Sequence, residues 1–243
     1  LAQLEGPMPS TPHPGDATAH DLRSPLTRMR AKLEVALIDA EAGKIDGTDA
    51  LELALSEADN LLKTFNTVLA IARLQAAAGS GRIPDPAVFD AADLATDMAD
   101  LYEPASEDKG LEFSSEIDRG LMVNANQPFL AQALANIIDN AIKYTPVGGA
   151  VMLRARRRSS GEIEFSVTDT GPGVPEEDRE RVIQRFVRLD NSRTEPGSGL
   201  GLSLVGAVME AHNGRILLDE GPGAYGGFGP GLRVALVLPA AEA

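Results

Sequence analysis

The strongest constraint on this chain is a pair of apolar series near its N-terminus. Leu22, Leu26, Met29, Leu33 and Ala36 recur at alternating spacings of four and three, and Leu51, Leu55, Ala58, Leu62, Phe65, Leu69 and Ala72 repeat the rhythm. That spacing keeps apolar side chains on one stripe of an α-helix. Gly43 and Gly47 bracket a short turn between the series, so the two helices form an antiparallel hairpin. A lone pair of helices leaves each seam half exposed, and the economical remedy is a dimer that completes a four-helix bundle.

Residues 1–15, with Pro7, Pro9, Pro12 and Pro14, read as an irregular lead-in, and the first helix is expected to begin near Asp16. The hairpin is assigned to residues 16–78. The small, Gly- and Pro-containing stretch 76–87 breaks the periodicity, and the linker is placed at 79–87. In the second domain, 88–243, helices are expected over 91–109, 127–144 and 199–212. Strands are expected over 111–117, 121–124, 150–157, 162–169, 215–219 and 232–238. Residues 170–198 are rich in Gly, Pro and charge and read as a functional loop. The pattern is a two-layer α+β domain with helices on one face of a mixed sheet.

Composition narrows the function. Against 36 Asp and Glu there are 22 Lys and Arg, a net charge of −14, which excludes a broad nucleic-acid surface. Without cysteine, neither disulfides nor thiolate metal sites can form. No apolar run approaches the roughly 20 residues that span a bilayer. The chain opens on Leu rather than Met, the mark expected of a fragment or processed form, with any membrane segment lying upstream.

Four clusters carry chemistry. In the first, His20 lies off the apolar seam, with Asp21 beside it and Ser24 one turn on. An exposed imidazole is a nucleophile when one nitrogen stays unprotonated, and a neighbouring carboxylate can take the proton from the other. Pro25 withholds a helical hydrogen bond just below. In the second, Asn136, Asn140 and Lys143 share one face of an amphipathic helix while Ile137, Ile138 and Ala141 face inward. Two carboxamides and an ammonium on one stripe suit a hydrated Mg²⁺ with phosphates, and equally suit an ordinary polar surface. The third, Asp169-Thr170-Gly171-Pro172-Gly173, follows a strand; its carboxylate can accept from an exocyclic amine. The fourth, Gly197-Ser198-Gly199-Leu200-Gly201-Leu202, opens a helix and exposes backbone amides to phosphate, without the Gly-Lys-Ser/Thr of a P-loop. The arginines at 154, 156, 157 and 158 read as the solvated end of a strand. His212 reads as a helix-end cation, and 226–231 as a turn before the last strand.

In this order the clusters resemble the sensor histidine kinases of two-component signalling. Residues 20–27 look like the phosphoacceptor box, 136–144 the asparagine box, 169–173 and 197–202 the two glycine boxes, and Arg185-Phe186-Val187-Arg188 the phenylalanine box of the ATP lid. Together they cover roughly residues 16–240. The resemblance implies a dimeric helical hairpin followed by an α/β ATP-binding sandwich of the gyrase, heat-shock chaperone and histidine kinase type. It implies ATP and Mg²⁺ as cofactors, Asn140 as metal ligand and Asn136 supporting the metal water. Lys143 would contact phosphate, Tyr144 would line the nucleotide pocket and Asp169 would accept from the adenine amine. Gly171, Gly173, Gly197, Gly199, Leu200, Gly201 and Leu202 would form the nucleotide loops, with Arg188 reaching the γ-phosphate.

The implied activity is ATP-dependent autophosphorylation of His20, with Asp21 as proton acceptor, then transfer to an Asp of a response regulator. That regulator would dock near His20, at Thr27, Arg28, Ala31 and Lys32. The implied location is cytoplasmic, as part of an inner-membrane sensor anchored through a missing upstream segment. Ser24 stands where the family usually has Thr or Asn, and its hydroxyl leaves phosphatase activity toward the regulator open. Ile183 replaces a common Phe in the lid and Pro196 a common Gly. The alternatives are a gyrase-like ATPase without a stable phosphoprotein, a phosphotransfer module with a vestigial nucleotide domain, and a protein acting mainly as a partner phosphatase.

Overall fold

The computed structural model describes residues 14–44, 46–79, 81–189, 198–223 and 229–241. Helix α1 spans Pro14–Glu41 and α2 spans Gly47–Gly79. α1 starts two residues before the expected Asp16, because a proline in the first turn has no N–H that the helix needs. It runs without interruption through Pro25. Gly43, at φ +68°, makes the turn, and Asp46 Oδ1 accepts from the N–H of Thr48 (2.6 Å) and Asp49 (3.0 Å), capping α2. Lys32 pairs with Glu57 at 2.6 Å across the hairpin.

The chain divides into two compact units between Val68 and Leu69, inside α2 and upstream of the 79–87 stretch. In the first unit, seam residues such as Leu51 (72%) and Leu55 (66%) are exposed, as are Val35, Leu37 and Ile38, which lie off the seam read from the sequence. In the second, Ile71 and Leu74 on the last turns of α2 are buried. The small residues at 76–79 stay helical, because alanine favours a helix whatever follows it.

The second unit continues with β1 (Ala87–Asp90), α3 (Ala91–Asp108), β2 (Glu112–Ile117), β3 (Met122–Ala125) and α4 (Gln127–Tyr144). After these come β4 (Ala150–Arg157), β5 (Ile163–Asp169), a 3₁₀ turn (Glu176–Asp178) and α5 (Arg179–Val182). α6 (Gly201–Ala211), β6 (Arg215–Glu220) and β7 (Leu232–Leu238) complete it. The main sheet runs β2-β4-β5-β7-β6, with β2 parallel to β4 and the other pairs antiparallel. Alternate strand residues (Val151, Leu153, Ala155; Ile163, Phe165, Val167; Val234, Leu236, Leu238) are buried with the apolar faces of α3, α4 and α6. This is the period of two expected of a sheet with helices on one side.

The opposite residues carry a charge lattice. Buried Glu164 accepts from Arg156 (2.8 Å), Arg158 (3.0 Å) and Arg233 (2.8 Å), while Arg154 pairs with Glu116 (2.7 Å). Burial pushes the Glu164 carboxyl up, but Arg233 and Arg156 hold it below the usual range. Arg157 donates to the carbonyls of Gly161 and Gly120. The arginine cluster thus spends its donors inside the domain.

Strand β1 was not expected. It pairs antiparallel with β3, to which Ala240 also bridges at Val123. Four residues next to a linker carry too little alternation to be read as a strand. Asp90 locks this corner: Oδ1 accepts from the N–H of Ala92 (3.0 Å) and Leu121 (2.8 Å), and Oδ2 from Gly120 (3.0 Å). Among the described residues no helix is long and apolar enough to cross a membrane.

Candidate functional site

Helix α4 is the spine of the site. Asn126 caps it, its Oδ1 accepting from Phe129 N–H at 3.0 Å, and Pro128 fits its first turn. Ile137, Ile138 and Ala141 are buried, so Asn136, Asn140 and Lys143 are turned to the half-exposed side. Asn136 Nδ2 donates to Gln132 O (2.8 Å) one turn back, which fixes the amide and leaves Oδ1 directed away from its own helix. Gly201, at the start of α6, lies opposite: a Cβ there would sit 3.1 Å from Asn136 Oδ1 and 3.8 Å from Asn140 Nδ2. The absent side chain keeps a polar cradle open between α4 and α6. Lys143 Nζ stands 4.7 Å from the centre of the Tyr144 ring and 3.2 Å from its hydroxyl.

Asp169 ends β5 and is only 7% exposed. Its Oδ1 accepts from the N–H of Gly171 (2.8 Å) and Leu232 (3.4 Å). Burial dominates these bonds and pushes its pKa up to about 6. A Cβ on Gly171 would meet Asp169 Oδ1 at 2.9 Å and Tyr144 O at 3.0 Å, so that glycine lets α4 close against the strand end. Behind it, Gly231 donates to Gly171 O (2.9 Å). Of the stretch read as a plain turn, residues 226–228 lie outside the described residues, while Gly229 and Gly231 support the Asp169 loop.

The second glycine loop joins the lid. Phe186, at φ +61°, donates to Gly199 O (2.9 Å), and a Cβ on Gly199 would strike the Phe186 backbone at 3.0 Å and Arg188 Cγ at 3.1 Å. Leu200 is buried and Leu202 half-buried. Ile183, the departure from the expected Phe, lies 3.1 Å from where a Gly206 Cβ would stand, so the lid base packs on α6. Arg185 donates to Gln75 Oε1 at 2.5 Å. Gly197 and Pro196 lie outside the described residues. So do the side chains of His20, Asp21, Ser24 and Arg28; along α1 His20 and Asp21 are adjacent and Ser24 follows one turn on.

His212 corrects the reading of a helix-end cation. It is buried, and Nε2 accepts from Asn126 N–H (2.9 Å), so Nδ1 carries the proton and donates to Val208 O (2.7 Å). Burial lowers its pKa, and it serves as a neutral pin between the end of α6 and the cap of α4. Only its partners, invisible in a single sequence, distinguish the two roles.

Residues 16–77 match the family described as "His Kinase A (phospho-acceptor) domain", and residues 125–242 match "Histidine kinase-, DNA gyrase B-, and HSP90-like ATPase". A solved mycobacterial sensor histidine kinase, MprB, is 31% identical with a TM-score of 0.58, covering 65% of this chain and 100% of its own. The chain belongs to the sensor histidine kinases. This kinase is also 34% identical to the sensor-like histidine kinase SenX3 of Mycobacterium tuberculosis (strain ATCC 25618 / H37Rv), over 91% of this chain and 52% of the relative. The crystal structure of full-length ShkA in complex with AMPPNP is 29% identical with a TM-score of 0.67, covering 94% of this chain and 46% of ShkA. The kinase chain thus spans about half the length of the curated relative. Its second unit is an ATP-binding fold, and the cradle at Gly201 together with the buried carboxylate at Asp169 fits a nucleotide with an oxygen-liganded cation.

Proposed function

We propose that this chain transfers the γ-phosphoryl group of ATP to His20 and passes it to an Asp of a response regulator. The observation that carries the reading is the fixed carboxamide of Asn136 facing the Gly201 cradle. An amide has no basic lone pair with which to activate water, so the site favours transfer to a protein nucleophile over hydrolysis. Asn140 Oδ1 would hold Mg²⁺, which neutralises phosphate charge when bound, and Asn136 would orient a metal water. Lys143 and the loop Gly197, Gly199, Leu200, Gly201 and Leu202 would hold the phosphates. Tyr144, Gly171 and Gly173 would line the base pocket, Asp169 would accept from the adenine amine, and Arg188 would reach the γ-phosphate.

His20 Nε2 then forms the N–P bond as the bond from the γ-phosphorus to the β–γ bridging oxygen breaks. ADP leaves with that electron pair, and the Nδ1 proton passes to Asp21. Positioning and charge neutralisation carry most of the acceleration. The reading includes a homodimer, in which the exposed seam at Leu51, Leu55 and Leu62 meets its copy. It places the reaction on the cytoplasmic side, with any anchor supplied by other parts of the protein. Ser24 would serve a phosphatase step toward the regulator.

The test is incubation with Mg²⁺ and γ-labelled ATP. An acid-labile, base-stable label that moves to a receiver domain supports the reading; steady release of phosphate without labelled protein favours the gyrase-like ATPase.

Regulator choice is a separate expectation. Thr27, Ala31 and Lys32 are exposed on α1 downstream of His20. Exchanging them for those of another kinase should alter transfer rates across a regulator panel by at least about tenfold, with labelling of His20 intact. Unchanged rates across the panel would remove this face as the docking surface.

A further inference from the structure

Lys109 follows α3 and spends its ammonium on the far end of α4. Nζ donates to the carbonyls of Ile142, Lys143 (2.8 Å) and Thr145 (3.0 Å). An ammonium has three protons, and all are used on backbone oxygens. Those oxygens need a partner: the final carbonyls of a helix have no intrahelical donor, and a cation there also opposes the helix dipole. The surrounding chain is knitted to the same place. Thr145 N–H donates to Ala141 O (3.0 Å), Gly148 N–H to Gly110 O (2.8 Å), and Glu112 N–H to Gly149 O (2.9 Å). Tyr102, on α3, stands beside Asp139 on α4; burial and that charge raise the pKa of its hydroxyl. The turn held by Lys109 carries Lys143 and Tyr144, and its Tyr144 carbonyl abuts the Gly171 position next to Asp169.

We infer that Lys109 is a positioning residue for nucleotide binding: by clamping the last turn of α4 it aims Lys143 at the phosphates. The inference rests on the assignment of Lys143 to phosphate. Lys109 touches no nucleotide itself, because its donors are committed to carbonyls. If Lys109 only added stability as a helix-end cation, its removal would lower the melting temperature and leave the affinity of the folded domain unchanged.

A double-mutant cycle separates the two. The affinity for Mg-ATP is read by displacement of trinitrophenyl-ATP in wild type, Lys109→Met, Lys143→Ala and the double variant, below the lowest melting temperature. Lys109→Met is expected to weaken binding about tenfold in the wild-type background and less than about twofold when Lys143 is already Ala. Lys109→Arg, which keeps the charge but has a planar fork unsuited to three converging carbonyls, should show the same coupling with a smaller loss; it serves if Lys109→Met does not fold. Equal losses in both backgrounds, or a lowered melting temperature with unchanged affinity, overturn the inference and leave the role of Lys143 standing. If Lys143→Ala alone binds Mg-ATP as wild type does, the assignment of Lys143 falls and the inference falls with it.

Discussion

Asp169→Asn is expected to make the free protein more stable while nearly abolishing ATP binding. The folded protein holds this carboxyl at about 6 against an ordinary value of 3.8. The folded state therefore binds a proton more tightly than the unfolded chain does. Above pH 6 the ionised, buried group costs stability, on the order of 3 kcal/mol. As pH falls through 6 toward 4 the folded form takes up the proton first, and the cost disappears. Asparagine is neutral throughout and can still accept from Gly171 and Leu232, though its amide protons need partners. A net gain of about 1–2 kcal/mol at neutral pH, or roughly 3–6 °C in melting temperature, is expected. The gain should vanish near pH 4.

Binding goes the other way. Both backbone donors fall on Oδ1, which leaves the second oxygen for an amine. In Asn that position becomes an NH₂, so a donor faces a donor, and the loss should be about a hundredfold. Calorimetry for stability and displacement of a fluorescent ATP analogue check both halves. An unchanged melting temperature would remove the burial cost, and unchanged affinity would remove Asp169 from base recognition.

Gly231→Ala is the second large effect. A Cβ there would lie 2.0 Å from Asp169 O, and the residue sits at φ +73°. The oxygen it would strike belongs to the backbone, so no rotamer change relieves the clash. Gly120 provides the control: its φ is +72°, with nothing within 4 Å of its Cβ position. Gly120→Ala should cost only the left-handed conformation, about 1–2 kcal/mol. Gly231→Ala should cost more than about 4 kcal/mol, or prevent folding of the second unit. Urea denaturation compares them; equal costs would mean that the glycine layer behind Asp169 is not tightly packed.

These two positions also show what the sequence could and could not convey. The place of Asp169 at a strand end was legible, because the alternation of Ile163, Phe165 and Val167 runs out at the Gly-x-Gly that follows it. The polar stripe Asn136, Asn140 and Lys143 was legible from helical period alone, and α4, β4 and β7 have the boundaries that periodicity gives. Gly231 looked like turn punctuation, since its partner, Asp169 O, is distant in sequence. His212 and Lys109 were opaque for the same reason. A histidine or lysine at a helix end has an adequate local explanation, and only the fold brings Asn126 or the α4 carbonyls to it. Strand β1 was hidden by its length and its proximity to a linker. The arginines at 154, 156 and 158 are at least partly solvated as read, but their ion pairs were hidden because Glu116 and Glu164 come onto their face from other strands.

In the proposed reaction, ATP bound at the Asn140 site phosphorylates His20. The measurement that tests it most directly is site-resolved labelling: incubation with Mg²⁺ and γ-labelled ATP of wild type, His20→Ala and Asn140→Ala, followed by mapping of the labelled peptide at neutral to basic pH. One acid-labile, base-stable label is expected on the peptide containing His20, absent from His20→Ala and from Asn140→Ala. A label that persists in His20→Ala, or phosphate release that survives there without any phosphoprotein, would contradict the proposed reaction.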